Sequence, residues 1–450
     1  MSTDAERTYW IDLTDLSEWR GYHTGIQRVV YNIARYYAES GQAKFFVYDD
    51  KRKLFHEVAF KLVEPEPFDP DPQPSKRRLL KQRLVYQAKE TYSLLPEEWR
   101  QVLTPRLRPV AGAAYRRAHH VAHVASTIAR PPAKVELVEA VFKPHDAIVI
   151  MGAGWARPGI LNELWYRKQT VGFKMFHLIH DMIPVYFPHL FGPGHFELSV
   201  DYFFDVASTC DGIITNSVST KNDYERFARE LNLPARPVGV VRLGDEIPDR
   251  PVGQPPRAVK LEPGSFILAH GTIENRKNHT LLYYAYKLAA ERGIKLPKLV
   301  ITGRVGWNSQ DVVFAFTHDP QVRDNVEIVG SVHDVELTWL FENSLYTVYP
   351  STYEGWGLPV AESLVLGKFA LTTPVSSMPE IAGDLIDYFS PYDSGDCLDK
   401  LVEYLNPAKL AAAEARVRAE YKVQTWRASY EEINAVVEGQ LRDLEASSVN

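Results

Sequence analysis

Short apolar segments of strand length recur along this chain, and most are followed by a turn and a segment with helical pattern. In the second half this order is seen in SFILAHG (265–271), KLVITG (298–303), NVEIVG (325–330) and LYTVYP (345–350). In the first half it is seen in TYWIDLTDL, KFFVYDD, DAIVIMGAG, KMFHLIHD and DGIITNS. Strands that alternate with helices form mostly parallel sheets with helices on both faces. The sequence therefore predicts an α/β fold with two Rossmann-like, doubly wound domains that face a cleft.

A segment rich in proline and glycine, EIPDRPVGQPPRAVKLEPG, separates the two halves and is typical of an interdomain linker. We therefore assign residues 1–245 to an N-terminal domain, 246–264 to the linker and 265–425 to a C-terminal domain. The strand pattern of the first domain is interrupted by an insert at about residues 62–140. Within it, residues 75–130 hold twelve Lys or Arg against three Glu and have helical pattern, which predicts a basic helical insert.

The charge and cysteine content narrow the classes of function. The net charge of −6 gives the whole chain no general attraction for nucleic acid, and no nucleic-acid partner is expected. The two cysteines, Cys210 and Cys397, are far apart, which is typical of a reducing cytoplasm. The N-terminus has no apolar stretch of signal-peptide type, and no apolar run reaches the roughly 20 residues of a membrane-spanning helix.

The segment YPSTYEGWGLPVAESLVLGK (349–368) has the pattern of a strand, a loop and a helix. Pro359 suits the first turn of the helix, where its missing N–H is harmless. Gly355 and Gly357 allow the backbone to approach a ligand closely, and the free N–H groups at the helix start favour an anion. The segment therefore predicts a site for a nucleotide diphosphate at the carboxyl end of a strand, where ligands of open α/β sheets bind.

Two glutamates flank this predicted anion site. Glu354 precedes the helix and can reach a sugar, whereas Glu362 lies one turn inside it and can accept hydrogen bonds from the vicinal hydroxyls of a ribose. A bare phosphate would be repelled by both carboxylates, so the pair favours a ligand with hydroxyls at both ends. The alternative is that Glu354 caps the helix and Glu362 is a solvated helix residue, as most glutamates are.

A second basic element follows the strand SFILAHG. Arg276 and Lys277 are expected to face the same cleft, where two cations would stabilise the charge that develops on a leaving diphosphate without Mg²⁺. The alternative is an exposed basic pair before a helix. Cations at a helix N-terminus oppose the helix dipole, which favours the functional interpretation.

These segments resemble the retaining glycosyltransferases of family 4, which have the GT-B fold. The resemblance rests on the Glu-x7-Glu spacing of Glu354 and Glu362, on HGTIENRKNHTLLYYAY, and on nearly all of the stretch from VEIVGSVHD to EIAGD. It is strong over residues 265–395, patchier in the first half, where TGIQRVV, LIHDMIP and IITNSVST carry it, and absent from the basic insert.

The resemblance implies roles for individual residues. Glu354, His180 and Lys277 would be catalytic, with His180 near the transferred sugar and Glu354 holding that sugar rather than acting as a nucleophile. Val332 to Leu337 are placed like residues that flank the base in relatives, and Gly25 like a glycine beside the phosphates. The implied donor-binding residues are Arg276, Lys277, Glu354, Gly355, Trp356, Gly357, Leu358, Glu362, Gly25, Val332 and Leu337. Residues 426–450 would form a helix that packs back on the N-terminal domain.

An alternative to a metal-independent site is that histidine side chains bind a metal ion. His177 and His180 lie three apart on a strand and should face opposite sides, so they should not bind one ion. His119, His120 and His123 lie in the basic insert without an acidic or cysteine partner nearby. We therefore expect no metal site and no cofactor, with the nucleotide-sugar as co-substrate.

The implied function is transfer of a hexose or deoxyhexose, with mannose from GDP-mannose as the leading choice, to a glycan or lipid-linked glycan in bacterial polysaccharide assembly. A UDP-sugar donor and a non-catalytic sugar-nucleotide-binding scaffold are the alternatives, and a phosphorylase or epimerase of the same fold is a further one. Residues 75–130 could attach a cytoplasmic enzyme to the inner face of the cell membrane, or form a solvated hairpin without a partner.

Overall fold

The structure is a computed structural model that describes residues 7–18, 25–63, 138–157, 159–247, 253–256 and 259–449. The predicted basic helical insert lies almost wholly outside these residues, as do the three histidines proposed as an alternative metal site and parts of the predicted linker.

The first domain is built on an eight-stranded sheet with the order β4-β3-β2-β1-β5-β6-β7-β8. Its strands are β1 Tyr9–Asp12, β2 Ala43–Asp49, β3 Leu54–Val58, β4 Val138–Glu139, β5 Ala147–Ile150, β6 Lys174–Ile179, β7 Gly212–Thr215 and β8 Val238–Val240. The central strands are short apolar runs buried on both faces, as a parallel sheet covered by helices requires. From β2 through β1 and β5 to β8 all neighbours pair in parallel, which confirms the predicted α/β class.

Three strands of this sheet, β3, β4 and β8, were not predicted, and β3 is the longest of them. β3 pairs antiparallel with β2 and places Val58 opposite Phe45. The turn between them ends at Lys53, whose φ of 54° lies in the left-handed region. The segment LFHEV is too short and too polar to be distinguished from a loop by its pattern alone.

The second domain has a six-stranded sheet, and all of its neighbouring strands pair in parallel. In the order β11-β10-β9-β12-β13-β14, its strands are β9 Phe266–His270, β10 Lys298–Thr302, β11 Val326–Gly330, β12 Thr347–Tyr349, β13 Ala370–Thr372 and β14 Asp387–Tyr388. The four predicted strands are present, whereas β13 and β14, of three and two residues, were not predicted. The second Rossmann-like domain is thereby confirmed.

Helices follow most of the strands. In the first domain they are α1 Thr14–Glu18, α2 Ile26–Ser40, α3 Gly159–Val171, α4 Ile183–Tyr186, α5 His195–Thr209 and α6 Val218–Glu230. In the second half of the chain they are α7 His279–Glu291, α8 Gln310–His318, α9 Asp334–Asn343, α10 Leu358–Val365, α11 Met378–Ala382, α12 Ser394–Glu403, α13 Pro407–Glu420 and α14 Trp426–Val449. Within the described residues, no helix combines the length and the apolar character needed to cross a membrane.

The last helix, α14, returns to the first domain. Trp426 is buried at its start, against Gly244 of the first half, where an added Cβ would lie 2.5 Å from the indole ring. Further along, the Gln440 amide donates hydrogen bonds to the carbonyl oxygens of Ile213 and Pro237 on β7 and before β8. The chain therefore crosses between its two domains a second time.

Replacing Trp426 with alanine tests how much this return contributes to stability. Because the indole is 1% exposed, we expect Trp426→Ala to lower the free energy of unfolding by about 3–5 kcal/mol, measured by urea denaturation followed by circular dichroism. Trp165→Ala, at a tryptophan that is 37% exposed, is the matched control and should lower it by about 1 kcal/mol or less. Equal losses in the two variants would contradict the packing of α14 described above.

Candidate functional site

Glu354 lies at the centre of a buried cluster of charges in the loop between β12 and α10. Glu354 is buried, with 6% of its surface exposed to solvent. Oε2 accepts a hydrogen bond from Arg276 at 2.5 Å, and Oε1 accepts from Nζ of Lys277 at 2.6 Å and from Oγ of Ser351 at 2.7 Å. One carboxylate is therefore held by two cations and a hydroxyl.

The two cations lie in a single 3₁₀ turn, Asn275–Lys277, between β9 and α7. Since β9 and β12 are neighbours in the sheet, the loops after their carboxyl ends meet. The two loops are also joined through their backbones, because Thr352 N donates to the carbonyl of Arg276. The predicted convergence of Arg276, Lys277 and Glu354 is thus what the structure shows.

Arg276 is used mainly inside the protein. Besides Glu354, its guanidinium donates to the carbonyl of Tyr353 at 3.0 Å and to Oε1 of Glu274 at 2.8 Å. Both terminal nitrogens of Arg276 therefore have protein acceptors, whereas the Lys277 ammonium donates to Glu354. Arg276 therefore positions Glu354 through several hydrogen bonds, whereas Lys277 pairs with it through one.

The charges fix the protonation state of Glu354. Burial by itself raises the pKa of this carboxyl, but Arg276 and Lys277 outweigh that effect and lower the pKa to about 2. Burial by itself lowers the pKa of Arg276, but the nearby carboxylates outweigh that effect and raise it. Glu354 is therefore ionised at neutral pH, and can accept hydrogen bonds from hydroxyl groups but cannot deliver a proton.

The loop after Glu354 leads directly into α10. Gly357, with a φ of 114°, precedes the helix, and Pro359 occupies its first turn as predicted. Gly355 and Gly357 both sit where an added Cβ would clash, and Leu358 begins the helix. The indole of Trp356 is buried, and its Nε1 has no hydrogen-bond partner within the described residues.

Two serines brace this loop from behind. Oγ of Ser377 donates to the carbonyls of Glu354 and Trp356, at 3.1 and 2.7 Å, and the N–H of Glu354 donates to Oγ of Ser376. Neither serine is among the predicted site residues. The segment VSSMPE, which contains them, follows β13 and lies inside the stretch from VEIVGSVHD to EIAGD that carries the resemblance, and only this place could have indicated them.

Glu362, predicted to bind a ribose, is buried one turn inside α10. Its Oε1 contacts the guanidinium of Arg28, which lies on α2 of the first domain. Arg28 is not among the predicted site residues, although it belongs to the quoted TGIQRVV segment. Gly25, the predicted glycine of that segment, precedes α2 with a φ of 53°.

His180 and Asp181 follow β6 and meet the Glu354 loop across the cleft. A Cβ added at Gly355 would lie only 2.1 Å from the carbonyl oxygen of His180. Asn216 donates to that same carbonyl oxygen, and Oγ of Ser217 donates to the carbonyl of Gly355, both at 2.9 Å. The predicted residue His180, together with Asp181, is therefore brought beside the loop of Glu354.

The side chains of this pair are both buried. Nε2 of His180 bonds to the carbonyl of Met151 at 2.7 Å, which fixes its protonated nitrogen, and burial lowers the pKa of the ring. Burial raises the pKa of Asp181, and the charge of Arg276 opposes that effect in part. The ring of His180 is therefore neutral at pH 7, and its hydrogen bond to the carbonyl of Met151 fixes its orientation.

The alternative of a metal at His177 and His180 is not what the geometry suggests. His177 points to the hydroxyl of Tyr202 at 2.5 Å, whereas His180 bonds to Met151. In the part of the chain that the structure describes, no three His, Cys, Asp or Glu side chains form a group suited to a metal ion.

Val332 and Leu337, predicted to flank a base, lie around the start of α9. Both are half-buried and pack against an apolar cluster of Phe266, Leu268, Val300, Leu340 and Phe341. This shelf belongs to the same domain as Glu354 and Glu362, and it adjoins β9, the strand that leads to Lys277. The second domain therefore carries an apolar surface, two carboxylates and a cation.

Comparison with known proteins gives one family. Residues 255–416 match the model of the family described as glycosyl transferases group 1. The match confirms the predicted resemblance to glycosyltransferases, and membership of family 4 in particular stays a prediction.

Curated relatives are found in Escherichia coli. Over 175 residues the chain is 32% identical to the O-antigen chain mannosyltransferase B, an alignment that covers 37% of this chain and 45% of that protein. Over 288 residues it is 26% identical to the serotype-specific mannosyltransferase WbdA, covering 61% of this chain and 34% of that protein. The matched segments thus span less than half of the length of each relative.

Solved structures of glycosyltransferases share the fold over nearly the whole chain. Sucrose-phosphate synthase from Thermosynechococcus elongatus has a TM-score of 0.57 at 16% identity and covers 98% of this chain and 100% of its own. Anabaena HepE in complex with UDP has a TM-score of 0.55 at 13% identity, with coverage of 96% and 100%. These likenesses confirm the two-domain GT-B fold.

The ion pairs of Glu354 make stability depend on pH. The pKa of Glu354 is about 2 in the folded protein, whereas its usual value is 4.5. The ion pairs of Glu354 therefore contribute fully to the free energy of unfolding above about pH 4.5, and this contribution is lost as the pH falls toward 2. Glu354→Gln should therefore lower the free energy of unfolding at pH 7 by on the order of 3 kcal/mol, and by about half of that or less at about pH 3.

Denaturation of both proteins at the two pH values measures this difference. Glu327→Gln is the control, because the ion pair of Glu327 with Lys298 is 3.7 Å long and exposed and should contribute little at either pH. A loss in Glu354→Gln that is the same at pH 7 and pH 3 would contradict the assignment of an ionised, paired Glu354.

The contact of Gly355 with His180 gives a further prediction. In Gly355→Ala the new methyl group would lie 2.1 Å from a backbone oxygen and 2.9 Å from Cβ of Asp181, so the loop and the end of β6 must separate. We expect a lower melting temperature and a larger radius of gyration by small-angle X-ray scattering. In the control Gly439→Ala, on α14, the nearest atom is 4.0 Å away, so neither effect should appear. An unchanged radius and melting temperature in Gly355→Ala would show that this contact does not hold the cleft together.

Proposed function

We propose that this chain, whose residues 255–416 match the group 1 glycosyl transferases, is a retaining, metal-independent hexosyltransferase. It would move mannose from GDP-mannose to a glycan or lipid-linked glycan acceptor in bacterial polysaccharide biosynthesis. The observation that carries the proposal is the buried, ionised Glu354, bound by Lys277 and Arg276 directly before the glycine-led start of α10.

Each part of the donor has a complementary partner in this arrangement. The diphosphate would lie against the ammonium of Lys277 and the N-terminus of α10, since both favour negative charge. The sugar would donate hydroxyl hydrogen bonds to Glu354, which can only accept them. The ribose would lie at Glu362, where Arg28 already contacts Oε1, and the base on the shelf of Val332 and Leu337.

The chemical step would break the bond between the anomeric carbon of the sugar and an oxygen of the β-phosphate. The acceptor hydroxyl would form the new bond to that carbon on the same face, so the anomeric configuration is retained. Its proton would pass to the departing phosphate oxygen, and the electron pair of the broken bond stays on the diphosphate. Lys277 would stabilise that added charge, which removes the need for a metal ion in this role.

His180 would contribute through its position rather than by proton transfer. Its lowered pKa keeps the ring neutral, and its backbone is fixed against Gly355, one residue from Glu354. A neutral imidazole at this place can hydrogen-bond a hydroxyl of the transferred sugar. This supports the role that the resemblance implies for it.

The acceptor would bind on the side of the first domain, with the two domains closing around the donor. Contacts that would accompany closure are already present in addition to those of Gly355. The carboxylate of Glu380 on α11 accepts from the N–H groups of Val218 and Ser219 at the start of α6. Nε1 of Trp307 donates to the carbonyl of Leu190.

The choice of mannose is supported by the relatives, which are named as an O-antigen chain mannosyltransferase and a serotype-specific mannosyltransferase. The choice of GDP follows from the resemblance to family 4. A UDP-sugar donor is the second candidate, because HepE, which shares the fold, was solved with UDP and with UDP-glucose. We place the enzyme in the cytoplasm, and contact of residues 75–130 with the membrane remains part of the proposal.

Donor turnover tests the proposal directly. Purified protein should release GDP from GDP-mannose when a mannan oligosaccharide is added, with or without EDTA, and faster than it releases UDP from UDP-glucose. Glu354→Ala should lower turnover by at least about 10²-fold, as expected for loss of a group that stabilises the transition state, whereas the exposed control Glu327→Ala should not. Near-wild-type turnover in Glu354→Ala would refute the assignment of Glu354. Absence of turnover and of donor hydrolysis in the wild type would favour a binding scaffold.

A further inference from the structure

A carboxylate lies in the first domain at the point where the strand order reverses. From β1 the sheet continues through β2 on one side and through β5 to β8 on the other. In open α/β sheets, the crevice at such a switch point is where ligands bind. Asp15 lies at the start of α1, directly after β1, and residues 151–153 follow β5. The two segments meet, because the N–H of Ala153 donates to Oδ2 of Asp15 at 3.4 Å.

The contacts of Asp15 use one of its two carboxylate oxygens. Besides Ala153, the amide of Gln27 on α2 donates to Oδ2, at 3.2 Å. No donor among the described residues bonds Oδ1. Asp15 is partly exposed, and its Oδ1 is not shielded from solvent. This second oxygen is therefore open to a ligand in the crevice.

The start of α1 is stabilised by a different carboxylate. Oδ1 of Asp12 accepts hydrogen bonds from the N–H and the hydroxyl of Thr14, at 2.9 and 2.5 Å. Asp12 is buried, as a structural carboxylate at a helix start can be when its hydrogen bonds are made. The side chain of Asp15 is directed instead to the segment after β5 and to α2.

The crevice borders the site to which we assign the donor. Nε2 of His180 bonds to the carbonyl of Met151 at 2.7 Å, in the same segment that Asp15 contacts. The backbone of His180 in turn meets Gly355, in the loop of the second domain. On α2, the residue after the bonded glutamine is Arg28, which contacts Glu362.

The chemistry of the crevice selects a neutral group that is rich in hydroxyls. In dinucleotide-binding domains, glycine-rich loops at the switch point leave room for phosphates. Here Gly152 faces Asp15, because a Cβ added at this glycine would lie 3.1 Å from Cβ of the aspartate. A carboxylate in this place repels a phosphate, whereas a sugar hydroxyl can donate to its open oxygen.

We propose that Oδ1 of Asp15 accepts a hydrogen bond from a hydroxyl of the acceptor glycan, on the sugar unit that receives the transferred hexose. The inference rests on the proposed function, because it takes the enzyme to transfer a hexose to a glycan. It gives the acceptor glycan a named partner in the first domain. It also gives the segment after β5 a purpose, which is to present this carboxylate beside the donor.

Steady-state transfer of mannose from GDP-mannose to a mannan oligosaccharide tests this hydrogen bond in wild type and Asp15→Asn, with UDP-glucose as donor if it turns over faster. Because two N–H groups donate to Oδ2, the oxygen of the asparagine should take that position and its NH₂ group the position of Oδ1. KM for the oligosaccharide should then rise roughly tenfold or more, the range of one hydrogen bond to a charged group. KM for the donor, calorimetric affinity for GDP and donor hydrolysis without oligosaccharide should stay as in wild type.

Asp49→Asn is the matched control. Asp49 ends β2 at the same edge of the sheet, but its Oδ1 accepts from the N–H groups of Lys51 and Arg52 in the turn that leads to β3. Both substitutions remove one negative charge from this edge. Asp49→Asn should nevertheless leave both KM values as in wild type, with melting curves confirming that both variants fold.

Two results would overturn the inference while the proposed function stands. One is an unchanged KM for the oligosaccharide in Asp15→Asn. The other is an equal rise of KM for the oligosaccharide and for the donor, which would indicate a displaced loop rather than a lost hydrogen bond. If the wild type transfers no sugar from either donor, the proposed function itself fails and the inference fails with it.

Discussion

The buried carboxylate of Glu354 is bound by Arg276 and Lys277. Burial of a carboxylate is unfavourable unless it is paired, so the loop before α10 can adopt its position only while the turn after β9 supplies both cations. The pairing joins the carboxyl ends of two neighbouring strands. It also sets the chemistry, because a permanently ionised carboxylate can bind hydroxyls but cannot serve as an acid.

The contacts between the two domains are organised around the same loop. Gly355 admits the backbone of His180 because it has no Cβ, and Ser217 bonds its carbonyl from the first domain. Arg28 reaches Glu362 from α2, and α14 carries the chain back to the first sheet. A site formed in this way is complete only when the domains are close, which is consistent with a reaction that needs a donor on one side and an acceptor on the other.

The sequence was sufficient for the parts of the site that lie close together along the chain. The apolar strands placed Glu354 and Lys277 at one edge of a parallel sheet, and the glycines and Pro359 indicated the helix start. The contact of Arg28 with Glu362 could not be predicted, because the two residues are 334 positions apart. They lie in different domains, and the pattern of strands and helices does not reveal how the domains are arranged. The hydrogen bonds of Ser376 and Ser377 to the loop were missed because β13, the strand before them, has only three residues.

The central claim is that Glu354 and Glu362 bind different parts of one donor. Comparing nucleotide affinity with turnover in Glu354→Gln and Glu362→Gln tests it most directly, with GDP binding measured by calorimetry and mannose transfer measured on the same preparations. The account predicts that Glu354→Gln binds GDP nearly as tightly as wild type but hardly transfers sugar, whereas Glu362→Gln loses affinity for GDP itself. Equal loss of GDP affinity in both variants, or full transfer by Glu354→Gln, would contradict it.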